Sequence, residues 1–250
     1  MLSAYLGGIV FGEAYGTAPA RVLALHGWGR THEDFREVLS GSLPGAVPLD
    51  AIALDLPGFG ASPPPPEVWG AEEYAASLRP LLEEMAERVV VVGHSFGGRV
   101  AIELARADPG RVGGLVLTGV PLVPARGRPA RTKLAYRIVR SLAKVRLVGD
   151  ARIERARQRY GSRDYREASG VMRGVLVRQL AEDYTESLRQ LACPVELLWG
   201  ANDTVAPPAL ARDACAVLKD GHLTELANVG HFIPTTAPRA LYDAVARTAR

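Results

Sequence analysis

Three side chains in this sequence could together activate an oxygen nucleophile. Ser95 stands in G-H-S-F-G at residues 93–97, after four consecutive valines and before a helix-forming segment. A serine hydroxyl is a weak nucleophile at neutral pH unless an imidazole takes its proton. Of the five histidines, His231 in N-V-G-H-F is suitably placed, in a loop between the segment L-T-E-L-A-N and the C-terminal helix-forming segment. An imidazole base needs a carboxylate to hold its tautomer and balance the charge it acquires. Asp203, in W-G-A-N-D-T-V-A-P just past another apolar run, supplies one. The chemistry open to these three is attack on a carbonyl carbon, giving an acyl-enzyme that water then releases.

That attack builds negative charge on the carbonyl oxygen, so hydrogen-bond donors must already be in place. H-G-W-G at 26–29 closes an apolar run and is rich in glycine, which lets its backbone turn N–H groups toward a site. The backbone N–H groups of Trp28 and Phe96 are the expected oxyanion donors. His26 reads as a hydrogen-bonded scaffold residue, and His94 has no chemical task in this scheme.

These residues need rigid elements to hold them. R-V-L-A-L-H-G (21–27), A-I-A-L-D-L-P-G (51–58), R-V-V-V-V-G-H-S (88–95), R-V-G-G-L-V-L-T-G-V (111–120) and P-V-E-L-L-W-G-A-N-D (194–203) are near-continuous apolar runs. Such runs suit strands buried on both faces of a parallel sheet. Helix-length segments with apolar residues three and four apart lie at 71–87, 98–107, 207–219 and 238–250. Alternation of this kind predicts an α/β domain with a mostly parallel central sheet flanked by helices. The first 16 residues, punctuated by glycines at 7, 8, 12 and 16, read as an antiparallel hairpin added at one edge. From about 121 to 190 the alternation stops, and basic helical segments (R-T-K-L-A-Y-R-I-V-R-S-L-A-K-V, R-I-E-R-A-R-Q-R-Y, G-V-M-R-G-V-L-V-R-Q-L-A-E-D-Y) follow one another. The expected organisation is a core of residues 1–120 and 191–250 with a helical cap inserted at 121–190.

Charge is distributed unevenly. Residues 126–189 hold 17 Lys and Arg against 7 Asp and Glu, a net of +10, which leaves −7 for the rest of a chain whose total is +3. A basic cap is either a solvated surface or an attractant for anionic substrates, thioesters of coenzyme A or a carrier protein, or an anionic membrane surface. No aromatic-basic interleaving suggests a nucleic acid partner. No apolar run is long enough for stable membrane insertion, and the first residues read poorly as a signal peptide, so a cytoplasmic protein is expected. Cys193 and Cys215 read as reduced packing residues; no metal-ligand cluster is visible, and the chemistry needs no cofactor. The sequence sets no oligomeric state.

Taken in order, H-G-W-G (26–29), D-L-P-G-F-G-A-S (55–62), G-H-S-F-G-G (93–98), G-A-N-D-T-V-A-P (200–207) and G-H-F (230–232) resemble the landmarks of the α/β-hydrolase superfamily. The likeness is to its capped branch of small esterases, C-C bond hydrolases and haloperoxidase-like proteins, and it spans essentially the whole chain. The chain order Ser95, Asp203, His231 is the order of that fold, unlike the trypsin-like or subtilisin-like orders. The resemblance implies Ser95 as nucleophile, Asp203 as orienting acid, His231 as base, and Trp28 and Phe96 N–H as the oxyanion hole. It also implies that Asp55 and Gly58 support the site without reacting. Relatives that open epoxides or displace halide use an aspartate nucleophile; the serine here disfavours both chemistries.

The expected function is hydrolysis of a carboxylic ester on a small acyl substrate, apolar or anionic. Leu134, Tyr136, Ile138, Val139, Met172, Val175 and Leu176 of the insertion could roof a hydrophobic pocket or form the insertion's own core. Two alternatives keep the fold: the same triad cleaving a thioester or a C-C bond, and a ligand-binding protein with a vestigial triad.

Overall fold

The computed structural model describes residues 1–122 and 163–249. Strands β1 (Leu2–Tyr5), β2 (Val10–Tyr15), β3 (Val22–Leu25), β4 (Ala51–Asp55), β5 (Val89–His94), β6 (Val112–Thr118), β7 (Val195–Gly200) and β8 (Gly221–Leu226) form one sheet in the order β1-β2-β4-β3-β5-β6-β7-β8. β1 pairs antiparallel with β2, and β2 antiparallel with β4, as expected of an edge hairpin; every other pairing is parallel.

The continuous apolar runs follow from burial on two sides. In β3, Leu23 and Leu25 face one core with Leu54 of β4 and Val91 of β5, while Val22 and Ala24 face a second core with Ala51, Ala53, Val90 and Val92. Helices α2 (Ala71–Glu83) and α3 (Phe96–Ala107) cover the first side through Tyr74, Leu78, Val100 and Ile102. The second side is covered by α1 (Arg36–Leu39) and α9 (Pro238–Thr248), through Leu39, Leu241 and Val245. Strand β8 is the exception: none of its residues is fully buried, as befits an edge strand.

Between β6 and β7 the described residues include α4 (Arg163–Glu167), α5 (Gly170–Gln179) and α6 (Thr185–Gln190). The segment 170–184, expected as helical, is helix only to Gln179, and the next helix starts beyond it at Thr185. Asp183 accepts the Thr185 N–H at 2.9 Å, a local turn that re-aims the chain. Val175 lies in the main core, and Leu176 packs with Tyr165, Ala168 and Trp28. Arg178 reaches back to Glu73 of α2 with two contacts of 2.6 and 2.8 Å. Arg99 of α3 is buried; it donates to the carbonyls of Gln179 and Pro121 and lies 5.5 Å from the Tyr184 ring centre. Leu134, Tyr136, Ile138 and Val139, with the two preceding basic segments, lie outside the described residues. Helices α7 (Pro208–Cys215) and α8 (Ile233–Thr236) follow β7 and β8 respectively. No helix among the described residues is long and apolar enough to cross a membrane.

Candidate active site

β5 ends at His94 and α3 begins at Phe96, which leaves Ser95 alone to make the turn, with φ 50° and ψ −109°. This is a strained conformation for a residue with a side chain. Neighbouring hydrogen bonds hold it: Ser95 N–H donates to Thr118 O at 2.9 Å, and Gly97 N–H to His26 O at 3.0 Å. The glycine requirement at position 97 is steric, because a Cβ there would overlap the Leu25 carbonyl oxygen. The turn therefore presents Ser95 at the carboxyl end of the central strands, where α/β sheets assemble their sites.

Asp203 follows β7 and is buried. Its Oδ1 accepts the N–H groups of Val205 and Ala206, both at 2.8 Å, and its Oδ2 accepts from His231 Nδ1 at 2.8 Å. Trp199, buried in β7, donates its indole N–H to Ala206 O at 2.7 Å and so pins the same loop. With Nδ1 committed to Asp203 as donor, the His231 ring is left with Nε2 as its basic nitrogen. His231 lies beside the elbow, its ring centre 4.9 Å from that of His94, the residue before Ser95. Ser95 makes no side-chain hydrogen bond to His231 among the described residues; such contacts are commonly long in a free site and tighten with substrate.

Trp28 and Phe96 are brought together. Their rings meet edge to face with centres 5.5 Å apart, and Phe59 of the D-L-P-G-F-G loop packs 5.0 Å from Trp28 and 5.8 Å from Phe96. This aromatic cluster fixes the loop and the helix start that carry the two N–H groups. The Gly97 and Gly98 N–H groups are taken by His26 O and Ser95 O, whereas the Phe96 N–H has no such acceptor among the described residues. Beside Trp28 opens a cleft of about 250 Å³, lined by Phe59, Met172, Ala168 and the acidic Asp164 and Glu167.

His26 has the scaffold role read from sequence. Its Nδ1 donates to Gly27 O at 2.7 Å and its Nε2 accepts the Leu56 N–H at 3.0 Å, which joins the H-G-W-G loop to the end of β4. Burial pushes it down to about 4, so it stays neutral. Asp55 forms a second carboxylate–histidine pair, with His32 at 2.8 Å, and accepts the N–H groups of His32 and Ala61. Burial alone would raise the Asp55 pKa, but these hydrogen bonds outweigh it and hold the group below its ordinary value. Its partner is His32 and not His231, so Asp55 stiffens the loop.

Sequence reasoning missed the His32–Asp55 pair and also Arg30, whose guanidinium lies 5.3 Å from the Phe232 ring centre while paired with Asp34. The one available signal was position: Arg30 directly follows H-G-W-G and Phe232 directly follows His231. Cys193 and Cys215 are both free, and burial pushes the Cys193 thiol up, which makes it a packing group. Among the described residues no group of three or more His, Cys, Asp or Glu side chains is arranged to hold a metal ion.

Comparison with known proteins places the chain in a family. A family model described as the alpha/beta hydrolase family matches residues 22–244. Pimeloyl-[acyl-carrier protein] methyl ester esterase of Methylococcus capsulatus is 30% identical over 244 residues, covering 90% of this chain and 92% of that protein. The enzyme of the same name from Aromatoleum aromaticum is 28% identical over 236 residues, covering 84% and 90% respectively. Among solved structures, a thermophilic esterase from Thermogutta terrifontis superposes with a TM-score of 0.68 at 22% identity, over 95% of this chain and 92% of that one, a likeness of fold. The chain belongs to the alpha/beta hydrolase family and is a hydrolase.

Proposed function

We propose that the protein hydrolyses carboxylic esters through an acyl-enzyme, with Ser95 as nucleophile, His231 as general base and Asp203 as the carboxylate that orients it. The observation that carries this reading is the 2.8 Å Asp203–His231 hydrogen bond beside a serine held at φ 50° on a strand-to-helix turn. Ser95 Oγ attacks the carbonyl carbon as its proton passes to His231 Nε2. The N–H groups of Trp28 and Phe96 stabilise the oxyanion, and His231 then protonates the departing alkoxide. Water repeats the sequence on the acyl-enzyme and frees the acid, with no cofactor required.

Of the insertion, the described Ala168 and Met172 line a cleft with Trp28 and Phe59, to which Asp164 and Glu167 add carboxylates, and this cleft is the place for a short acyl group. The two relatives named as methyl ester esterases support an ester with a small alcohol.

The test is a parallel assay of wild type and Ser95→Ala on short p-nitrophenyl esters, acyl-CoA thioesters and a diketone, with intact mass after a fluorophosphonate probe. Ester turnover and labelling in wild type, both lost in the variant, is the expected result. Preference for the thioester or the diketone would move the assignment to that bond with the same triad. A folded wild type that neither turns over nor labels would overturn the ester assignment in favour of a closed, highly selective pocket or a ligand-binding role.

A further inference from the structure

One buried titratable group has no part in this chemistry yet packs against the residue that does. His94 is 1% exposed. Its Nδ1 lies 3.1 Å from the carbonyl oxygen and 2.9 Å from Oγ1 of Thr118, at the end of β6. A carbonyl oxygen can only accept, so the proton is on Nδ1 and Nε2 carries a bare lone pair. That Nε2 is buried and has no hydrogen-bond partner among the described residues. Unpaired buried polar atoms are rare, and one beside a reacting group calls for a role.

Two glycines box the ring in. A Cβ on Gly27 would stand 3.0 Å from His94 Cδ2 and 3.4 Å from Nε2. Gly119, at φ +58°, lies on the other side: a Cβ there would be 3.2 Å from His94 Cε1, 2.9 Å from His231 Nδ1 and 3.0 Å from His231 Cε1. The two imidazoles therefore meet across Gly119, with planes 53° apart. Burial, and next the proximity of His231, push His94 down to about 3, so it is neutral wherever His231 can act as a base.

Around His231 stand Asp203 from beyond β7, His94 from β5, and Phe232 with the Arg30 guanidinium over its ring. Around His94 stand Thr118, His231, His26 and Arg30. Arg30 is held by two contacts to Asp34, so Asp203 is the anion bonded to His231 and His94 is the neutral acceptor against it.

We propose that His94 is a positioning residue for His231: its Thr118-anchored ring holds the base in the Asp203-bonded orientation, and its Nε2 lone pair favours the cation formed there. This rests on the triad reading above. When the Ser95 proton reaches His231 Nε2, the ring gains a positive charge, which it loses as the proton passes to the leaving alkoxide. The His94 ring centre is 4.9 Å from that of His231, and its lone pair sits on the nitrogen bonded to Cε1, the edge at which the two rings meet across Gly119, so the neutral ring stabilises the charged state without itself taking a proton.

The experiment compares wild type, His94→Phe and His94→Gln on one p-nitrophenyl ester across pH 5 to 8, with Ser95→Ala as control. Phenylalanine keeps the ring and removes the lone pair, while glutamine restores an acceptor oxygen. We expect His94→Phe to lower kcat by about fivefold, the scale of one weak electrostatic contact, with KM within about twofold. Its acid limb should move to lower pH by about half a unit, because removing the acceptor makes His231 harder to protonate. His94→Gln should recover most of both. A folded His94→Phe with wild-type kcat and an unmoved acid limb overturns the proposal while leaving the triad intact. An active Ser95→Ala overturns both. If His94→Phe does not fold, nitrogen NMR of the wild-type imidazoles decides: His94 non-titrating with its proton on Nδ1 supports the proposal, and a proton on Nε2 overturns it.

Discussion

Replacing Asp203 by asparagine changes one atom and should nearly abolish turnover. Oδ1 of Asp203 accepts the Val205 and Ala206 N–H groups, both at 2.8 Å, inside the protein. An asparagine must place its carbonyl oxygen there, because the reversed orientation would set its NH2 against two N–H donors and forfeit two buried hydrogen bonds. At about 1–3 kcal/mol for each orphaned group, the preference is roughly 2–6 kcal/mol. The amide NH2 then takes the place of Oδ2, 2.8 Å from His231 Nδ1, and that nitrogen can bond to it only as an acceptor. The ring proton moves to Nε2, and the base has no lone pair left for Ser95. From the known cost of a wrong tautomer in such triads, kcat should fall by about 10³- to 10⁴-fold. KM should stay within a few-fold, because Asp203 acts through His231 and the binding cleft is elsewhere. The assay is steady-state hydrolysis of a p-nitrophenyl ester with a thermal melt on the same samples. A variant that melts normally and keeps kcat within tenfold of wild type would refute the reasoning.

Three further outcomes follow from the same geometry. Gly97→Ala should destabilise the fold by about 2 kcal/mol or more, since its Cβ would overlap the Leu25 carbonyl; a thermal melt indistinguishable from wild type would contradict this. Asp55→Asn should cost about 1–3 kcal/mol through the His32 and Ala61 contacts yet keep kcat within about tenfold, as a urea titration and an ester assay would report; a collapse of kcat without loss of stability would make Asp55 the acting acid. His26 and His94 are held neutral to about 4 and about 3 against 6.5 for an unperturbed histidine, so below 6.5 the unfolded chain binds more protons than the folded one. Their contribution to stability is complete above 6.5 and is lost as pH falls toward 4 and then 3. Unfolding free energies from urea titrations at pH 7, 5.5 and 4.5 should drop at up to about 1.4 kcal/mol per pH unit for each group, and a flat series would contradict the neutral assignment.

The sheet is legible in the sequence because burial on both faces writes itself as unbroken apolar runs, and the edge hairpin because glycines mark its turn. The elbow is legible because close packing of β5, α3 and β3 leaves room only for glycine at 97. Where contacts join distant segments, the sequence is silent. The segment expected as a helix over 71–87 stops at Glu83, and Arg111, just before β6, donates to the carbonyls of Leu82, Met85 and Ala86. Nothing near residue 83 announces that arginine. Likewise Asp55 closes β4 and Asp203 stands three residues past β7, while His32 and His231 both lie several residues beyond a strand end, so spacing alone does not separate the two carboxylate–imidazole pairs; the folded contacts do. The short helices α1 and α8, four residues each, are too short to show a periodic pattern.

The three tryptophans are distributed as a set of internal reporters. Trp28 shares its aromatic cluster with Phe59 and Phe96 at the mouth of the cleft, so its emission should respond when an acyl group is attached to Ser95. Trp199 is wholly enclosed and bonded to Ala206, so its emission should stay fixed through turnover and change only when the Asp203 loop or the whole core comes apart. With Trp69 and one of the others changed to phenylalanine, stopped-flow fluorescence could follow acylation or unfolding on the unlabelled protein, each through its own indole.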